Sequence, residues 1–164
     1  MRRILVVDDD RHTRLAIGIW LKQCGFRVAI TDGGESGLAA PNNGTFDLMI
    51  VDVCMPNMRG FESIRIFHQR APTVPLIAIS GYAFFGPEAE NLACLKMALG
   101  LGATRCLRKP FRPATLLSVI DECLSEAEPH RRYAATRAAV AIAPSEQQGA
   151  TAPSDISKER IATG

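Results

Sequence analysis

No apolar run in this sequence of 164 residues is long enough to cross a membrane. The opening Met1-Arg2-Arg3 and Ile4-Leu5-Val6-Val7 begin like a secretion signal, but three aspartates follow at once. That is too short for the apolar core of a signal or for the roughly 20 residues of a spanning helix. A cytoplasmic protein with no membrane contact is expected. Charge of one sign is lacking too. The 19 basic and 17 acidic residues leave a net charge of +2 spread along the chain, so direct nucleic-acid binding is not expected. A zinc pattern is also missing. Cys24, Cys54, Cys94, Cys106 and Cys123 are odd in number and include no C-x-x-C, and His12, His68 and His130 are isolated. The thiols are expected to be reduced and in the core.

What is present is a rhythm of short apolar runs: Ile4 to Val7, Val28 to Ile30, Leu48 to Val51, Leu76 to Ile79, and a weaker Cys106-Leu107. Being unbroken rather than alternating, they suit strands covered on both faces, as in a parallel sheet. Between them lie segments of helical period. Leu15, Ala16, Ile19 and Trp20 form one stripe, Phe61, Ile64 and Phe67 a second, and Leu92, Leu95 and Leu99 a third. Leu116, Leu117, Ile120, Cys123 and Leu124 form another, and 34–40 suits a short helix. Cys24-Gly25, Pro41 to Gly44 and Gly100 to Gly102 mark turns, and Pro113 suits a first helical position.

Five strands alternating with five helices over residues 1–127 make a doubly wound α/β domain. A five-stranded parallel sheet of this size favours the flavodoxin-like order 2-1-3-4-5, which makes strands one and three neighbours. Residues 128–164 hold few large apolar side chains and are expected to form a disordered tail. Within it, the Ala-rich stretch Arg131 to Ala143 offers the last helix an extension.

Ligands of open α/β sheets bind outside the carboxyl ends of the strands. Asp8, Asp9 and Asp10 follow strand one, Asp52 ends strand three, Ser80 strand four, and Lys109 follows strand five. Neighbouring carboxylates repel and need a cation, and oxygen ligands suit Mg²⁺. A carboxylate can attack phosphorus if the charge on the transferring group is neutralised. Lys109 would add to that neutralisation, and the Ser80 hydroxyl would donate to a phosphoryl oxygen. Each aspartate taken singly could equally cap a helix. Their convergence from several strands carries the inference.

Four segments, Ile4-Leu5-Val6-Val7-Asp8-Asp9-Asp10, Leu48 to Pro56, Ser80-Gly81-Tyr82 and Lys109-Pro110-Phe111, resemble in order the receiver domain of two-component response regulators, in its single-domain, chemotaxis-regulator-like form. The resemblance covers residues 1 to about 127. It implies a phosphoacceptor at Asp52 and a Mg²⁺ site of Asp8, Asp9, Asp52 and the Cys54 backbone carbonyl. It also implies a switch hydroxyl at Ser80, a phosphate-binding Lys109 that does not contribute to metal affinity, and a cis bond before Pro110. Cys54 and Tyr82 match positions that influence phosphate lifetime. The phosphoryl donor would be a histidine kinase or histidine phosphotransfer protein. Output would reach a downstream protein by protein–protein contact, from a monomer or weak homodimer with no output domain of its own.

Three departures stand out. Cys106 occupies the position where the family often has a rotating Tyr or Phe. Arg112 replaces a common Asp and lacks a capping oxygen. The stretch from Ser80 to Lys109 is longer than usual by roughly two helical turns. It contains Tyr82, Phe84 and Phe85, a candidate output loop in place of the missing aromatic switch. Two other classes remain open: a receiver-like scaffold that does not use phosphate, and a haloacid-dehalogenase-like phosphatase, on the strength of Asp8-x-Asp10.

Overall fold

The computed structural model describes residues 1–33, 46–53, 55, 61–81 and 96–142, with side chains to Glu128. Its elements are β1 (Arg3–Val7), α1 (Arg11–Gln23), β2 (Arg27–Thr31), β3 (Leu48–Asp52), α2 (Glu62–Arg70), β4 (Leu76–Ser80), β5 (Arg105–Arg108) and α3 (Pro113–Ile142). Residues 96–100 are also helical. The expected helix at 34–40 and the loop at 82–90 lie outside the described residues.

The five strands form one parallel sheet in the order β2-β1-β3-β4-β5, as expected. Alternation along the central strands divides the core. Leu5, Val7, Met49, Val51, Leu76 and Ala78 face α2, where Ile64 and Phe67 are fully buried. Ile4, Val6, Leu48, Ile50, Ile77 and Ile79 face the opposite way, onto Ile17 and Leu21 of α1 and Leu116, Ile120, Cys123 and Leu124 of α3. Each fully buried Leu, Ile or Phe stabilises the fold by about 1.5–3 kcal/mol. The continuous apolar runs of β3 and β4 are buried throughout. Strand β2 is not: as an edge strand it is half covered, and Ile30 stays 39% exposed.

Helix α1 corrects one expectation. Its buried residues are Ile17, Gly18 and Leu21, while Leu15 and Ile19 face outward, Ile19 at 57% exposure. From Leu15 to Leu21 the helix carries no polar side chain but the indole NH of Trp20, so period alone could not choose its face. At its C-terminus Gly25, at φ 88°, takes the left-handed conformation that glycine adopts without strain. The Gly25 amide donates to the Lys22 carbonyl and the Phe26 amide to that of Leu21, a Schellman turn that stops the helix and starts β2. Gly102 does the same after 96–100, at φ 109°.

Helix α3 runs thirty residues, so the backbone of 128–142 is helical, the extension that the Ala-rich stretch offered within the expected tail. The alanines there give the helix its favourable propensity. Pro129 lies inside it and has no amide to return to the preceding turn. Residues 143–164 lie outside the described residues. No described helix is long and apolar enough to cross a membrane.

Candidate functional site

The register builds the site. Val7 pairs with Val51, so Asp8 emerges beside Asp52 at the carboxyl edge. Asp52 pairs with Ile79, Ser80 follows, and Ser80 pairs with Arg108, which precedes Lys109. The Lys109 amide donates to the Ser80 carbonyl at 2.7 Å. Four adjacent strands thus deliver Asp8, Asp52, Ser80 and Lys109 to one place, and the Lys109–Pro110 bond is cis.

Asp8 is fully buried, Asp52 is 3% and Ser80 7% exposed. Carboxylate oxygens of Asp8, Asp9 and Asp52 all lie within 4.8 Å of one another. Two of these acids share a cation: Lys109 Nζ donates to Asp8 Oδ2 at 2.7 Å and to Asp52 Oδ2 at 2.6 Å. Burial pushes the Asp8 carboxyl above its ordinary value, and the Lys109 contact only partly offsets this. Burial alone would lower the Lys109 value, but hydrogen bonds to Asp52 and Asp8 outweigh it and hold the ammonium charged. Three carboxylates so close are a hard, anionic oxygen set, which fits Mg²⁺ rather than a thiolate- or imidazole-seeking metal.

Asp10 does different work. Its carboxylate accepts the His12 and Thr13 amides and the Thr13 hydroxyl, capping α1. The Thr13 hydroxyl and these amides lower its pKa. Of the three consecutive aspartates, the capping use falls to Asp10, while Asp8 and Asp9 join the cluster. Ser80 Oγ donates to the Gly81 carbonyl at 3.3 Å, beside the cluster. Cys54, Tyr82, Phe84 and Phe85 lie outside the described residues.

The cysteines are less uniform than expected. Cys24 is exposed, because it is the capping residue at the end of α1 rather than part of a core face. Cys123 is buried, and Cys106 is half-buried on β5 against the α2-side core. Burial pushes both the Cys106 and Cys123 thiols up to about 11, leaving roughly one part in a thousand as thiolate at pH 8. Alkylation at pH 8 is therefore expected to label Cys24 well before Cys106 or Cys123, as peptide mapping by mass would record. Equal labelling of the three would contradict this burial.

The sequence-based reading missed Arg14. Its guanidinium reaches back from α1 to the carbonyls of Asp8 and Asp9. A basic residue near a helix N-terminus, against the helix dipole, was the available signal.

Comparison with known proteins bears on the family and the fold. The family model described as "Response regulator receiver domain" matches residues 4–121. The cell cycle response regulator CtrA of Brucella ovis is 27% identical over 134 residues, 82% of this chain and 55% of CtrA. The chain thus spans about half the length of the curated relatives it matches. Among solved structures, a CheY-like receiver domain protein from Methanospirillum hungatei JF-1 is 32% identical, with a TM-score of 0.68, covering 79% of this chain and 98% of that one. The chemotaxis protein CheY4 of Vibrio cholerae is 31% identical, with a TM-score of 0.63, over 75% of this chain and 98% of its own. Phosphorylation, Mg²⁺ binding at an acidic pocket, and exchange with histidine kinases and phosphotransfer proteins are general features of such domains. This chain, with its five-stranded sheet and its acidic cluster facing a lysine, belongs to the response regulator receiver domain family of two-component signalling.

Proposed function

We propose that the protein is a phosphorylation-dependent switch that accepts a phosphoryl group on Asp52 and signals through protein–protein contacts. The observation that carries this reading is the setting of Asp52. Its carboxylate is almost wholly buried at the end of a central strand, among two further carboxylates and against the Lys109 ammonium. In the proposed step an Asp52 oxygen bonds to phosphorus as the bond from phosphorus to the donor's imidazole nitrogen breaks, its electron pair staying on nitrogen. Lys109 balances charge on the phosphoryl oxygens, and the Ser80 hydroxyl turns to donate to one of them. Asp8, Asp9, Asp52 and the Cys54 carbonyl would hold Mg²⁺. When bound, the ion supplies the remaining charge neutralisation.

The donor is a histidine kinase or histidine phosphotransfer protein. A groove of about 460 Å³ beside Lys109, lined by Ala16 and Trp20 of α1 and by Pro110 and Phe111 of the following turn, supports its docking there. Tyr82, Phe84 and Phe85 remain the proposed contacts for a downstream protein. The phosphatase alternative is disfavoured by Asp10, whose oxygens are engaged in capping α1.

Incubation with a small acyl phosphate and Mg²⁺ tests the proposal. A base-labile gain of one phosphoryl group, mapped to Asp52, is expected. Sustained hydrolysis would indicate a phosphatase, and no uptake a scaffold. Mg²⁺ binding should also weaken as pH falls toward the carboxylate range, where Asp8 protonates above its ordinary value of 3.8. Calorimetric titration showing equal affinity at pH 7 and pH 4.5 would contradict the ligand assignment.

A further inference from the structure

We infer that Arg14 is a positioning residue that aims Asp9 at the metal-binding cluster. The inference rests on the proposed Mg²⁺ site and extends it to a residue outside the cluster. The two acids of the β1–α1 turn are held unequally. Asp8 has its carboxylate fixed from two sides, by the Asp10 amide at 2.9 Å and by Lys109 Nζ at 2.7 Å. Asp9 is exposed, and its carboxylate has no hydrogen bond or ion pair among the described residues. Its direction therefore follows from the backbone that carries it.

That backbone is gripped by Arg14. A single nitrogen, Nη1, donates to the Asp8 carbonyl oxygen at 2.5 Å and to the Asp9 carbonyl oxygen at 3.3 Å. Each terminal guanidinium nitrogen carries two hydrogens, enough to tie two successive carbonyls. The start of α1 sets the reach. The Asp10 side chain caps the helix, and the Arg14 amide closes its first turn on the Asp10 carbonyl at 3.0 Å. Helical side chains lean toward the N-terminus, which carries Arg14 back over the turn. A cation near this end works against the helix dipole, and the charge-assisted bonds to the two carbonyls offset that cost. Mg²⁺ accepts little deviation from octahedral geometry, so a ligand whose backbone is free to swing binds it more weakly. Groups that orient metal ligands in this way commonly change affinity by 10–100-fold.

The test is a double-mutant cycle on Mg²⁺ affinity, read by calorimetric titration of the full chain with Mg²⁺ alone. Arg14→Ala is expected to weaken binding about 10-fold, and Arg14→Lys, which keeps a donor, to recover part of the loss. In an Asp9→Asn background, Arg14→Ala is expected to change affinity by less than about twofold, because its effect passes through the Asp9 carboxylate. Metal-free hydrogen exchange at the Asp9 and Asp10 amides should speed up in Arg14→Ala. A purely structural arginine would lower the melting temperature and leave Mg²⁺ affinity where it was. That result overturns the inference, as does an equal loss in both backgrounds. If Asp9→Asn binds Mg²⁺ as tightly as the wild type, the metal site itself fails and Arg14 with it. If Asp9→Asn loses binding and Arg14→Ala keeps it, only the role of Arg14 fails.

Discussion

Asp52→Asn is expected to take up no phosphoryl group from a small acyl phosphate while keeping its fold and nearly its full stability. The amide fills the same space but offers no anionic oxygen to form the bond to phosphorus. Stability is spared because no charge is stranded. Asp8 and Lys109 remain paired at 2.7 Å, and the lost Lys109 contact is set against lost repulsion between Asp52 and Asp8. Those opposing contributions should leave a net change within about 1 kcal/mol. Intact mass after incubation reads the first part, and thermal melting by circular dichroism reads the second. Wild-type uptake by the Asn variant would move the acceptor elsewhere on the chain.

Lys109→Met should do the reverse to stability. It leaves two carboxylates, one fully buried and one 3% exposed, facing each other with no ammonium between them. Breaking a buried ion pair from one side costs about 3–5 kcal/mol, and the 20% exposure of the lysine side chain lowers this to about 2–3 kcal/mol. In a domain of this size that is a drop of about 10 °C in Tm. Millimolar Mg²⁺ should restore most of it, because the cation replaces the missing ammonium.

The same geometry makes a test of what the family resemblance implied about metal affinity, that Lys109 does not contribute to it. Lys109 grips the two acids that the metal would need, so its removal is expected to tighten Mg²⁺ binding about 10-fold rather than leave it unchanged. The pH dependence has a defined sign. Folding holds the Lys109 pKa above 10.5, so its contribution is complete below pH 10.5 and is lost as pH rises through the folded value. Asp8 is raised above 3.8, so the folded state binds more protons than the unfolded one above that pH, and stability rises as pH falls through this window. Without Lys109 only the Asp10 amide still opposes the burial of Asp8, so the deficit of the Met variant should shrink as pH falls from 7. A Met variant as stable as wild type at pH 7 without metal would show that Lys109 is not the counter-ion of this pair.

The sheet order was legible because central strands of a parallel sheet are apolar on both faces, and Leu48 to Val51 and Leu76 to Ile79 carry that signature. The site followed from it: polar residues at the ends of such runs can only meet at the carboxyl edge. The inward face of α1 was not legible, since Leu15, Ile17, Ile19 and Leu21 are equivalent until the cap at Asp10 and the approach of β2 fix the rotation of the helix. The exposure of Cys24 was hidden for a related reason, its place being set by the Schellman turn rather than by its own chemistry. Lys109 as the internal partner of both acids could be placed near them by strand order. That it bridges them at 2.6 and 2.7 Å required the side-chain geometry.

Helix α3 is about 45 Å long by its rise per residue, whereas the strands of the sheet span only about 17 Å. At Glu128 its carboxylate is bound by Arg2, beside the first strand. The next residue, Pro129, removes one backbone hydrogen bond. The Arg2–Glu128 pair thus clasps the beginning of the chain to its last helix, so the first strand and the far end of the described domain are joined directly across the surface.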